Sequence, residues 1–79
     1  MKEPTVTPEI AESFARQAMT VKPGNAVSRA DAVCWLPVSF KHEATWTYQK
    51  ETAEMLLSVL VVAGIYTKDN YLFRRNGAP

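Results

Sequence analysis

Apolar residues recur at three- and four-residue spacing early in the chain. Ile10, Ala11, Phe14, Ala15 and Ala18 fall on one stripe, while Glu9, Glu12, Ser13, Arg16 and Gln17 fill the remainder. This period predicts a helix packed on one side only. Thr7-Pro8-Glu9 marks its start: a hydroxyl to cap free N–H groups, a proline at the first helical position and an acid at the positive end of the dipole. Lys22-Pro23-Gly24-Asn25 is a turn signal, because proline presets φ and the following glycine accepts a positive φ. The first helix therefore ends before it.

Ser28-Arg29-Ala30-Asp31 is a second start signal, a capping box with aspartate in place of the usual glutamate or glutamine. A helix of about two turns from there reaches Leu36 and stops at Pro37, which lacks an N–H and restricts the residue before it. Val38 to Thr47 has no clean period. From Gln49 to Ala63 the helical period returns, with Ala53, Leu56, Leu60 and Ala63 on one face, flanked by Leu57 and Val59. Lys50, Glu51, Glu54 and Ser58 lie opposite. Val61 and Val62 fall towards that polar side, so the last turn needs cover from another element or another chain. Gly64 is placed as the C-terminal cap, with an extended segment after it.

Ile65-Tyr66-Thr67-Lys68 and Tyr71-Leu72-Phe73-Arg74 flank Asp69-Asn70, two residues that tolerate the backbone of a tight hairpin turn. In that register Lys68 faces Tyr71 and Tyr66 faces Phe73, so the three aromatic rings share one surface. Residues 1–6 and 76–79 are expected to fray. The expected fold class is α+β: a single domain, 1–79, of three helices closed by a C-terminal β-hairpin.

A chain of 79 residues has room for one core, and its 47% hydrophobic and 22% charged residues are the balance of a folded globule. So short a chain buries a modest share of its surface, which makes a homodimer an admissible partner state. Cys34 is the only cysteine, and a lone thiol fits a reducing compartment, so a cytoplasmic location is expected. The N-terminus lacks the pattern of a secretory signal. The longest apolar run, Met55 to Tyr66, falls well short of the roughly 20 residues that span a bilayer, so no membrane association is expected.

Net charge is +1, which demands neither a polyanion nor an acidic surface as partner. The distribution is more informative. Glu3, Glu9 and Glu12 outweigh Lys2 at the start, whereas Lys68, Arg74 and Arg75 outweigh Asp69 near the end.

Catalytic chemistry finds little support. His42 and Glu43 are adjacent, hence about 100° apart on a helix, and read as a solvated pair. Cys34, between Val33 and Trp35, reads as a buried core thiol with no activating cation. One cysteine and one histidine cannot complete a structural zinc site, and three glycines at 24, 64 and 77 form no phosphate loop. No metal, no cofactor and no enzymatic activity are expected.

A helix running through Leu56, Leu60 and Ala63-Gly64-Ile65 straight into an aromatic hairpin that ends Arg74-Arg75 resembles a winged helix-turn-helix domain. The resemblance covers about Thr7 to Arg75. It implies a small DNA-binding accessory or regulatory protein, with helix 49–63 towards the groove of double-stranded DNA and hairpin 65–75 on phosphates. The residues at the implied positions are Thr47, Gln49 and Lys50 at the start of the third helix, and Lys68, Arg74 and Arg75 on the hairpin. Pro37 to Thr47 exceeds the three or four residues of a helix-turn-helix joint. Either the third helix begins earlier, near Ser39 or Lys41, or the motif is not helix-turn-helix. Glu51 and Glu54 make the outer face of the third helix acidic. They motivate a second reading, a regulator or inhibitor that binds a larger protein through Glu51, Glu54, Val61 and Val62.

Overall fold

The first helix, α1 (Pro8–Ala18), starts where the sequence places it, with the Thr7 hydroxyl accepting from the Ile10 N–H. It buries Phe14 and Ala18. The computed structural model describes residues 3–77, so the expectation of frayed ends at Met1, Lys2, Ala78 and Pro79 lies outside the described residues. After α1 come β1 (Ala26–Ser28), α2 (Arg29–Ala32), a 3-10 turn over Val33–Trp35, α3 (Val38–Glu43), α4 (Trp46–Val62), β2 (Tyr66–Asp69) and β3 (Leu72–Arg75). The class is α+β, with four helices and a three-stranded antiparallel sheet ordered β1-β3-β2.

Local chemistry accounts for most boundaries. The Lys22–Asn25 turn closes with the Asn25 N–H donating to the Lys22 carbonyl, and Gly24 at φ +91° supplies the left-handed position. Ser28 and Asp31 exchange the two bonds of a full capping box, so aspartate serves in place of glutamate. Helix α4 ends in a Schellman pattern. Ile65 N–H donates to Leu60, Gly64 N–H to Val61, and Gly64 sits at φ +82°.

Four expectations need correction. The described residues form four helices, not three, because the stretch without a clear period folds as α3 and the last helix starts at Trp46. Thr45 caps that start by accepting from the Tyr48 N–H. A strand the sequence did not announce, β1, pairs with β3 through Val27 and Phe73. The hairpin turn is Asn70-Tyr71, with Asn70 at φ +60°, so Tyr66 stands opposite Arg75 and Lys68 opposite Phe73. Asparagine takes the left-handed position that aspartate takes less readily, and the pairing moves by two residues, which preserves the buried face. Finally, Cys34 is exposed, because Val33 and Leu36 occupy the core side of that short turn.

The described ends are also tied down. Glu3 accepts from the Thr45 N–H at 3.3 Å, and the Tyr48 hydroxyl donates to the Pro4 carbonyl at 3.1 Å. Asn76 donates to the carbonyls of Ile65 and Gly64. Glu3, Pro4 and Asn76 lie within the segments expected to fray, and each has a partner outside them.

The core gathers Phe14, Ala18, Val33, Leu36, Phe40, Leu56, Leu57, Leu60, Tyr66 and Phe73, with the smaller Ala32, Ala44 and Ala53 between them. Phe14 meets Trp35 edge to face at 5.3 Å, and Phe40 stacks on Tyr48 at 5.9 Å. Tyr66 carries a polar group into the core. Its hydroxyl donates to the Ala18 carbonyl at 2.7 Å, which joins the sheet to the end of α1. Burial pushes the Tyr66 phenol above its ordinary value of 10.0, and the nearby Arg75 guanidinium partly offsets that.

Tyr66→Phe should lower unfolding free energy by about 0.5–1.5 kcal/mol at neutral pH, since the Ala18 carbonyl loses its shorter donor and keeps only the Val21 N–H at 3.4 Å. The native state favours the neutral phenol, so this contribution is fully present below pH 10.0 and is lost as pH rises through the raised folded value. Denaturant titrations of both proteins should show the gap narrowing above that pH. A gap constant into the alkaline range contradicts the assignment.

Candidate functional site

The start of α2, the middle of α4 and the tip of the hairpin meet around an open groove of about 720 Å³. Its charged walls are Arg29 from α2, Lys50 and Glu54 from α4, and Lys68 from β2, with Asn70 and Tyr71 at the hairpin tip. Each is positioned by an identifiable local device. Arg29 is the first helical residue after the Ser28 cap, and its Nη1 lies 2.9 Å from Glu54 Oε1. Lys50 stands one turn beyond Trp46, and its Nζ lies 5.3 Å from the indole centroid. Lys68 faces Phe73 in the register and has its Nζ 5.8 Å from that ring. The left-handed Asn70 turns the chain so that Tyr71 projects, 75% exposed.

The groove carries three cations against one carboxylate. Glu54 is already paired with Arg29, which leaves the ammonium groups of Lys50 and Lys68 without a salt-bridge partner among the described residues. Such a surface attracts an anion, and the attraction is screened by salt over roughly 10 Å at moderate ionic strength.

Of the residues the sequence singled out for nucleic acid, the fold brings Lys50 and Lys68 together and separates the rest. Thr47 is exposed on the first turn of α4, outside the groove wall. Gln49 is half-buried, and its Nε2 donates to the carbonyls of Lys41 at 3.2 Å and Ala44 at 2.9 Å, closing the end of α3. Arg74 lies on the opposite face of the sheet from Phe73, 3.0 Å from Asp69 and donating to the Gly24 carbonyl at 3.0 Å. Arg75 is half-buried. It donates to the Asn76 carbonyl at 2.6 Å, and its Nε finds no hydrogen-bond partner among the described residues. Arg74 thus links β2 to the turn before β1, whereas the Arg75 side chain bonds only its chain neighbour.

The residues of the second reading also divide. Glu54 is paired in the groove, Glu51 is exposed beside it, and Val61 is half-buried against the core. Val62 is 90% exposed and forms a stripe with the exposed Met55 and Val59 at helical spacing along α4.

The sequence reading places none of Arg29, Trp46, Asn70 and Tyr71 in the site, although Trp46 and Tyr71 count among the rings that could stack on bases. Two had a local signal: Arg29 follows a cap at Ser28, and Trp46 follows one at Thr45, so both start helices. Their meeting with the hairpin tip depends on long-range packing, which spacing does not reveal. Among the described residues no helix is long and apolar enough to cross a membrane. No family model, curated protein or solved structure matches the chain.

Proposed function

We propose that the chain is a small DNA-binding accessory or regulatory protein of winged-helix type, with α4 turned towards the DNA and the β2–β3 hairpin lying on its phosphates. The observation that carries this reading is the groove. Arg29, Lys50 and Lys68 come from three separate elements and converge on one face, opposed only by Glu54, which Arg29 occupies. A chain with a net charge of +1 has no general excess of cations to scatter there. Phosphates suit this arrangement, because ammonium and guanidinium groups fix a backbone without reading its sequence. The continuity of α4 through Gly64 into the hairpin supports the winged-helix comparison.

The double variant Lys50→Ala, Lys68→Ala should weaken binding to all duplexes alike and reduce the salt slope by roughly two, as two phosphate contacts are lost. Arg74→Ala should leave that slope unchanged, since its guanidinium is committed to Asp69 and Gly24. Fluorescence anisotropy across a salt series measures both. Equal slopes for the wild type and the double variant contradict the reading.

A second reading, self-association, is favoured by the Met55, Val59, Val62 stripe. From Met55 to Ile65 the chain carries no charged side chain, so a second copy of the stripe meets it without like-charge repulsion. In this reading the wild type sediments as a concentration-dependent dimer and Val62→Asp as a monomer. Monomers at every concentration for both proteins exclude the stripe as a self-interface.

A further inference from the structure

Most aromatic side chains of this domain are turned inward. Phe14, Phe40, Tyr66 and Phe73 are buried, while Trp35 and Tyr48 are half-buried against Phe14 and Phe40. Two rings depart from this. Trp46 is 54% exposed at the start of α4, and Tyr71 projects at the hairpin tip. Both adjoin the cationic groove: Tyr71 lines it, and Lys50, which also lines it, holds its ammonium over the Trp46 ring.

An exposed indole and an exposed phenol leave apolar faces in water, and a ligand that covers them gains that area. A partner suited to cations flanked by flat apolar rings carries anionic groups along a backbone and flat apolar faces beside it. A nucleic acid strand with unpaired bases has this composition, and aromatic side chains in a basic groove are a general means of holding one. In an intact duplex the base faces are closed against each other, so such rings meet only edges and backbone. The charges of α4 favour the same ligand. Glu51 is exposed on the helix next to Lys50. In a major groove it faces phosphates on two strands, whereas an unpaired strand brings one row of phosphates, which the groove cations meet.

We infer that the groove takes DNA with unpaired bases, its phosphates against Lys50 and Lys68 beside the Arg29–Glu54 pair and its bases stacked on Trp46 and Tyr71. This rests on the DNA-binding reading and narrows its ligand. Trp46 and Tyr71 are then binding residues, each covering the face of a base.

The test is anisotropy at low salt with two labelled probes, an oligothymidine of about ten nucleotides and a mixed-sequence duplex of the same length. The single strand binds more tightly than the duplex. Trp46→Leu and Tyr71→Leu each weaken the single strand about tenfold, the loss expected for one stacked base, and change duplex binding little. Trp46→Phe keeps most of the affinity, because a flat ring remains. Both residues are exposed, so the variants are expected to stay folded, which circular dichroism checks. A duplex bound as tightly as the single strand, or leucine variants that weaken both probes equally, overturns the inference while the DNA reading stands. If neither probe binds, both fall together.

Discussion

The burial of Tyr66 and Phe73 on one face of the sheet decides where the hairpin stands, and everything assigned to the groove depends on that placement. Phe73 lies on the central strand, with β1 on one side and β2 on the other, so its burial fixes three strands at once. The Tyr66 hydroxyl adds a bond to the last turn of α1. At the other end the left-handed Gly64 brings the chain directly out of α4 into β2. The hairpin is thereby held from both sides, and its tip stands beside α4 with Lys68 and Tyr71 facing Arg29 and Lys50.

The cations of the C-terminal region divide by this same geometry. Alternation along β3 sends Arg74 to the sheet face away from Phe73, where Asp69 and Gly24 take its donors, and keeps Arg75 half-buried beside Tyr66. A basic run in sequence therefore does not form one basic patch. The patch that forms draws instead on Arg29 and Lys50, more than 15 residues earlier in the chain. Salt bridges at this level of exposure contribute only about 0–1 kcal/mol each, so the groove is maintained by the core beneath it more than by Arg29 and Glu54.

Much of the fold was legible because local physics settled it. Thr7-Pro8, Ser28 with Asp31, and Gly64 each mark a helix end through their own hydrogen bonds or φ, and all three act in the structure as the sequence implies. The even spacing of Phe14 and Ala18, and of Leu56 and Leu60, likewise identifies buried faces. What escaped was decided by partners distant in sequence. Strand β1 is three residues long and has no period of its own; it exists because β3 offers an edge. Helix α3 is too short to display a stripe, and the hairpin register depends on which of Asp69, Asn70 and Tyr71 turns the chain. For the site, charge and residue type pointed to Lys50 and Lys68, whereas Arg29 and Tyr71 became visible only when the tertiary contacts were laid out.

In the proposed function an anionic ligand is held where α2, α4 and the hairpin tip converge. Amide chemical-shift mapping during titration with a short DNA strand at low salt tests this most directly. The account expects the largest changes at Arg29, Lys50, Lys68, Asn70 and Tyr71. Changes centred on Met55, Val59 and Val62, or on Arg74 and Asp69 across the sheet, would contradict it.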